Sequence, residues 1–125
     1  MTPLVTGTDF VVVPTQDFER AVEFYGTVLG LPCSTRYGSR EGAEFETGNL
    51  TLAVLGPDLL PGEFSASRGP IALHVEDSAA ARAELESRGV EFFGETLDSG
   101  VCHMSFFRDP DGNALMLHHR YAPRH

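Results

Sequence analysis

The sequence predicts one α+β domain over residues 1–125, made of two tandem βαβββ modules. First, a strand-like run, a helical run and three more strand-like runs occur twice in the same order. Second, landmark residues recur at a nearly constant interval. Third, 125 residues with 42% hydrophobic and 22% charged side chains suit a single globular domain. A lone module would leave one sheet face bare, so we expect the two to form a cupped mixed sheet.

The repeat shows most clearly in its turns and helix starts. Asp77 repeats Asp17 sixty residues later, and each precedes an amphipathic run. Asn113 repeats Asn49 sixty-four residues later, and each follows a glycine and precedes an apolar run. These landmarks predict module one over residues 7–56, a connector over 57–69 and module two over 70–120.

In module one, the β-rich run FVVVP predicts the first strand. Phe18, Ala21, Tyr25 and other apolar residues fall at helical spacing, which predicts a helix that ends at Gly30. Asp17 is the N-cap candidate of this helix. The runs CSTRYGS, GAEFET and NLTLAVL predict three more strands, separated by Gly and Asn turn residues.

In module two, PIALHVE predicts the first strand and DSAAARAELESRG a helix that starts from Asp77. VEFFGETL, VCHMSFF and NALMLHH predict the last three strands. The turn RDPDGN lies between the last two, and we expect Asp109 and Asp111 to hydrogen-bond its backbone. Arg108 is expected to pair with one of these carboxylates.

Strand alternation predicts which side chains line the cup. If Asn49 matches Asn113, the fourth strand turns Leu50, Leu52 and Val54 inward. Each Phe-Phe pair sends one ring inward, and the pattern does not say which. The predicted ligand-binding residues are Phe10, Val12, Leu52, Pro70, His74, Phe106, Met116 and His118. Glu44 and Glu46 share a strand face, which is either solvated or a site for a cationic group.

The charge of the chain restricts its partners. A net charge of −9 without a Lys/Arg cluster argues against binding nucleic acid or an anionic membrane. The absence of a long apolar run and of a basic leader predicts a cytoplasmic protein with no membrane partner. Cys33 and Cys102 form no motif, so we expect free thiols.

Two motifs connect this sequence with a known family. DFERAVEFYGTVLGLP and FFRDPDGN resemble the helix and the signature turn of the vicinal oxygen chelate superfamily, which includes glyoxalases, extradiol dioxygenases and bleomycin-resistance proteins. The resemblance covers residues from about 8 to 119. It implies a cup that holds a small molecule, and a homodimer.

The resemblance also implies four metal-ligand positions, and none holds a suitable ligand here. Phe10 and Pro70 occupy positions where metal-dependent members of the superfamily have histidine. Met116 occupies the position of their glutamate, and Leu52 is its expected counterpart in module one. Hard divalent metals require imidazole or carboxylate ligands. We therefore expect no metal and no cofactor.

These observations predict a metal-free protein that sequesters a small apolar or aromatic molecule in the cup. One alternative is a metal-independent lyase or isomerase with His74 or His118 as general base, so whether the protein is an enzyme stays open. Another is a structural or regulatory module whose cup is filled by core packing.

Overall fold

The computed structural model describes residues 2–123, which form two compact units that divide between Phe64 and Ser65. Each unit is one βαβββ module with a four-stranded mixed sheet. The predicted α+β fold of two tandem modules is confirmed. Within residues 2–123, neither helix is long and apolar enough to span a membrane.

The first unit follows the predicted order of elements. Its strands are β1 (Phe10–Pro14), β2 (Cys33–Arg36), β3 (Gly42–Glu46) and β4 (Thr51–Leu55), and α1 (Phe18–Glu23) follows β1. The sheet order is β1-β4-β3-β2, with β1 parallel to β4 and the other pairs antiparallel.

The predicted first helix is shorter than expected and continues as a π-helical turn. Asp17 caps α1 as predicted, since its Oδ1 accepts a hydrogen bond from the backbone N–H of Arg20 at 3.3 Å. The π-helical turn covers Phe24–Val28, and the Leu29 N–H donates to the Phe24 carbonyl five residues earlier, at 2.9 Å. Apolar spacing cannot distinguish this wider turn from an α-helix.

Together, α1 and the π-helical turn form the helical segment of the first unit. The core of this unit lies on the sheet face that the helical segment covers. The rings of Tyr25 and Phe45 are 6.0 Å apart, and a Cβ at Gly26 would stand 3.4 Å from the Phe45 ring. The largest fully buried side chains of this face are Val13, Tyr25, Phe45, Leu52 and Val54. The helical segment and the sheet therefore share one apolar layer.

The second unit repeats the arrangement. Its strands are β5 (Ile71–His74), β6 (Phe92–Asp98), β7 (Cys102–Arg108) and β8 (Ala114–Arg120), and α2 (Ser78–Ser87) follows β5. The sheet order is β5-β8-β7-β6, and β5 runs parallel to β8. Asp77 caps α2, as its Oδ1 accepts from the Ala80 N–H at 3.0 Å.

The core of the second unit lies between α2 and strands β7 and β8. Leu85 of α2, Phe107, Leu115 and Leu117 are buried. The rings of Phe92 and Phe107 are 5.0 Å apart, so both lie on this covered face. The neighbouring Phe93 and Phe106 consequently lie on the other face, which answers the question that alternation left open.

The turn between β7 and β8 is organised by two buried polar side chains. Asp109 Oδ1 accepts from the N–H groups of Asp111 and Asn113, both at 2.9 Å, and its Oδ2 accepts from Asn113 Nδ2 at 2.7 Å. Asn113 Oδ1 accepts from the N–H of Ser67 at 2.8 Å, which ties the connector to the turn. Asp109 therefore serves the turn, as predicted.

Candidate functional site

The sheet face of the second unit that α2 leaves uncovered has an apolar row across all four strands. We call it the second open face. Ala72 of β5 lies opposite Met116 of β8, Met116 opposite Phe106 of β7, and Phe106 opposite Phe93 of β6. Met116 and Phe106 are half-buried, and Phe93 is 51% exposed. The structure thus places two predicted site residues, Phe106 and Met116, side by side.

A second row on the same face combines imidazoles with apolar groups. His74 lies opposite His118, His118 opposite Met104, and Met104 opposite Leu97. His118 and Met104 are half-buried, and Leu97 is 52% exposed. The two predicted histidines are therefore direct neighbours, next to Met116 on the same face.

His74 has a carboxylate partner that the sequence analysis did not identify. Its Nε2 lies 3.0 Å from Oε1 of Glu76, two residues farther along the chain. The hydrogen bond from His74 and the electrostatic interaction with its ring lower the pKa of Glu76 below its ordinary value. This pair has the form of a base with an orienting group.

Pro70, the remaining predicted residue of this unit, comes immediately before β5 and is exposed. Alternation places it in line with Ala72. Its ring has no donor atom, so it can contribute only apolar surface.

The sheet face of the first unit that lies opposite the helical segment, which we call the first open face, presents Phe10 and Val12. Phe10 is 52% exposed and lies opposite Thr51, and Val12 is half-buried and lies opposite Ala53. Both therefore lie on the face that the prediction gave them.

The predicted orientation of Leu52 is wrong. Leu52 lies opposite Val11 and Phe45, on the face that the helical segment covers, and it is fully buried. Because Ala53 pairs with Val12 as Met116 pairs with Ala72, Ala53 is the counterpart of Met116. The two Gly-Asn turns are one residue farther apart along the chain than the corresponding strand positions Ala53 and Met116. Matching the strands through these turns therefore shifts the register by one residue, which exchanges the two faces of the sheet. The predicted inward orientation of Val54 is wrong for the same reason, since Val54 is buried opposite Val13, and alternation extends this correction to Leu50.

Glu44 and Glu46 lie on the first open face, and hydroxyl groups hold both. Tyr37 Oη donates to Glu44 Oε2 at 2.5 Å. The Oε2 of Glu46 accepts from Ser34 Oγ at 2.6 Å, and its Oε1 accepts from Thr51 Oγ1 at 2.7 Å. These bonds from Ser34 and Thr51 lower the pKa of Glu46. Protein hydroxyl groups therefore already hydrogen-bond both carboxylates.

Tyr37 is expected to ionise at a pH about two units higher than an ordinary tyrosine. The hydrogen bond to Glu44, then burial, then the charge of Glu44 raise its pKa from 10.0 to about 12. The pKa of Tyr37 is higher in the folded protein than its ordinary value. The stability that the Tyr37–Glu44 hydrogen bond contributes is therefore complete below pH 10 and is lost as the pH rises to about 12.

The phenolate absorbance of the wild type minus that of Tyr37→Phe measures this ionisation, and Glu44→Gln should return the pKa towards 10. A Tyr37 that ionises near its ordinary value in the wild type would contradict the assigned bond.

The structure permits a test of the metal site that the resemblance implies. Phe10, Ala53, Pro70 and Met116 occupy its four positions once Ala53 replaces Leu52, and they offer a single thioether sulfur among them. Across residues 2–123 no three His, Cys, Asp or Glu side chains are grouped so as to hold a metal ion. These residues do not fit a hard divalent metal, which requires imidazole or carboxylate ligands.

Four residues of the second open face are not identified by the sequence pattern alone: Phe93, Leu97, Met104 and Arg108. They become identifiable once β6, β7 and β8 are paired, because antiparallel register aligns β7 with Met116 and His118, and β6 with β7. Arg108 does not pair with Asp109 or Asp111 as expected. Its guanidinium carbon instead lies 4.6 Å from the centroid of the Phe93 ring.

Comparison with solved structures shows the same fold. A Bacillus anthracis protein assigned to the glyoxalase family superposes with a TM-score of 0.80 at 22% identity, over 96% of this chain and 99% of the other. TnmS3, an antibiotic binding protein from Streptomyces sp. CB03234, superposes with a TM-score of 0.75 at 25% identity, over 93% of this chain and 97% of the other.

Sequence comparison assigns the family. The uncharacterized protein YraH of Bacillus subtilis is 29% identical over 115 residues, which cover 82% of this chain and 89% of YraH. The profile of the Glyoxalase/Bleomycin resistance protein/Dioxygenase superfamily matches residues 7–117. The chain therefore belongs to the glyoxalase/bleomycin resistance protein/dioxygenase superfamily.

Proposed function

We propose that this protein binds a small apolar or aromatic molecule on the second open face, without a divalent metal ion and without transforming the molecule. The row of Ala72, Met116, Phe106 and Phe93 supports this proposal most strongly. It joins Phe93, which is 51% exposed, to the half-buried Phe106 and Met116, and contiguous apolar surface of this kind often marks a binding site. His74 and His118 add a few polar groups at its side, as is usual in small-molecule sites.

The chemistry of the row suits a flat ligand. The rings of Phe93 and Phe106 offer stacking area, and the flexible thioethers of Met104 and Met116 adapt to irregular or aromatic shapes. The likeness to TnmS3, whose name describes an antibiotic binding protein, supports sequestration of such a molecule. Phe10 and Val12 give the first open face an apolar surface suited to the same class of ligand.

Met116→Glu is expected to weaken ligand binding strongly. In a thermal-shift screen of hydrophobic drugs, a hit at 100 times its Kd should stabilise the wild type by about 2.7 kcal/mol. An uncompensated carboxylate in the centre of the row should weaken binding at least about tenfold, because the ligand would have to desolvate it.

Leu4→Glu is the matched control, since Leu4 is exposed and lies outside both sheets. It should leave the ligand-induced shift unchanged. An equal shift in Met116→Glu and the wild type would contradict the proposed site.

Elemental analysis tests the metal-free part of the proposal. Protein purified without chelators is expected to contain much less than one equivalent of zinc, nickel, iron or manganese per chain, because the implied ligand positions lack donors for these ions. One equivalent of metal per chain that persists through dialysis would contradict the proposal that the protein is metal-free.

A metal-independent lyase or isomerase is the second candidate, and the His74–Glu76 pair supports it. A carboxylate 3.0 Å from an imidazole is the arrangement that orients a general base. If a bound hit is turned over, His74→Ala or His118→Ala should abolish turnover and preserve binding. Absence of turnover for every hit that binds would eliminate this candidate.

We further propose that the protein is a cytoplasmic homodimer, the assembly that the family resemblance implies. Light scattering coupled to size-exclusion chromatography should give twice the mass of the 13.6 kDa chain. A mass of one chain across the micromolar range would contradict it.

A further inference from the structure

The geometry points to an anionic group on the ligand, a carboxylate attached to or next to an aromatic ring, which Arg108 binds at the edge of the second open face. This inference rests on the proposed function, because it describes the ligand of the same face. It is opposite to what the net charge of −9 would suggest, since a strongly acidic surface attracts cations.

The guanidinium of Arg108 is held against the apolar row. Arg108 ends β7 two residues after Phe106, on the same face, and lies opposite Ala114. Its guanidinium carbon stands 4.6 Å from the centroid of the Phe93 ring. A guanidinium stacked on an aromatic ring keeps its in-plane N–H groups free for a carboxylate, which it can bind with two parallel hydrogen bonds.

No carboxylate of the described chain uses this guanidinium. Over residues 2–123, the arginines that form ion pairs within 4.0 Å are Arg36, Arg40, Arg82 and Arg88, and not Arg108. The adjacent Asp109 directs both carboxylate oxygens into its own turn. The charge of Arg108 is therefore available to a ligand.

The rest of the second open face also lacks acidic groups in its paired positions. Those positions hold alanine, methionine, phenylalanine, leucine, histidine, cysteine and arginine, and no aspartate or glutamate. Asp and Glu outnumber Lys and Arg by 18 to 9 in the chain, so a face without them is unusual here. Glu95 of β6 lines a groove beside α2, and Glu76 is bonded to His74 at the opposite end of the face.

Spacing along β7 sets the size of the ligand. Arg108 and Phe106 are two strand residues apart, which is roughly 6.6 Å. An aromatic ring on Phe106 and Met116 would thus place a directly attached carboxylate, or one a single carbon farther out, within reach of the guanidinium. The ligand class is a flat aromatic acid. Arg120 is less suited, because its Nη2 already donates to the Pro123 carbonyl at 3.4 Å.

The test compares 2-naphthoate with 2-naphthamide by isothermal titration at low salt, in the wild type, Arg108→Gln, Arg108→Lys and Arg88→Gln. The wild type should bind the acid at least about tenfold more tightly than the amide, as a charge-assisted bidentate pair exceeds a neutral hydrogen bond. Arg108→Gln should lose this preference and keep its affinity for the amide. Arg108→Lys should keep only part of the preference for the acid, because an ammonium group cannot bind both carboxylate oxygens with two parallel hydrogen bonds.

Arg88→Gln is the control, since Arg88 follows α2 and pairs with Glu84 at 3.7 Å. It should retain the preference for the acid. Equal affinity of the wild type for both probes, or an equal loss for both in Arg108→Gln, would overturn the inference and leave the proposed function intact. If neither probe nor any apolar compound of the screen binds, the proposed function itself fails.

Discussion

Phe107→Ala is expected to lower the free energy of unfolding by about 3–5 kcal/mol, the usual cost of removing a fully buried phenyl ring. Phe107 is 1% exposed, and its ring lies 5.0 Å from that of Phe92 on the face that α2 covers. The neighbouring backbone belongs to a central strand of the sheet, so the cavity cannot close easily. Urea denaturation of both proteins measures the difference.

Phe106→Ala is the matched control, because it removes the same ring from the adjacent position. Phe106 lies on the second open face and is half-buried, so its removal should cost about 1 kcal/mol or less in stability. It should instead weaken ligand binding. A larger stability loss for Phe106→Ala than for Phe107→Ala would show that the two faces of β7 have been exchanged.

Asn113→Ala should lower the free energy of unfolding by about 2–4 kcal/mol, since it removes one hydrogen bond to the buried Asp109 carboxylate and one to the half-buried Ser67 N–H. Asn113 joins the connector to the last turn through its bonds with Ser67 and Asp109 at 2.8 and 2.7 Å. The bond to Asp109 is buried, and the bond to Ser67 is partly buried. Thermal and urea denaturation give the change directly.

Asn49→Ala is the control that the repeat provides. Asn49 occupies the same place after glycine in the first module, but it is exposed, and its Oδ1 only accepts from Thr47 Oγ1 at 3.3 Å. The change should stay within about 0.5 kcal/mol. Equal costs at the two asparagines would contradict the structural role of the buried one.

The order of elements could be predicted because caps and periodicity agree with the tertiary structure. Asp17 and Asp77 both cap the helices that they were expected to start. The π-helical turn after α1 could not be predicted, since an i to i−5 bond leaves the apolar spacing almost unchanged.

The site was predicted less completely. The run of Leu52, Ala53 and Val54 is apolar and buried on both faces, so its residue types do not distinguish the faces, and only pairing with β1 decides which face each residue occupies. Phe93 and Arg108 could not be assigned because their side chains meet across strands, which a single strand pattern does not reveal. By contrast, Phe10 and Met116 lie on the faces where alternation placed them.

The most direct test of the account is a methyl NMR titration of protein labelled at methionine, carried out with a chelator present. The chain has three methionines, and Met104 and Met116 both lie on the second open face. A ligand from the thermal-shift screen should shift the methyl signals of Met104 and Met116 in the wild type, and the methyl signal of Met104 should remain unshifted in Met116→Glu. If binding appears only after a divalent metal is added, or if neither signal moves at saturation, the second open face is not a metal-free binding site.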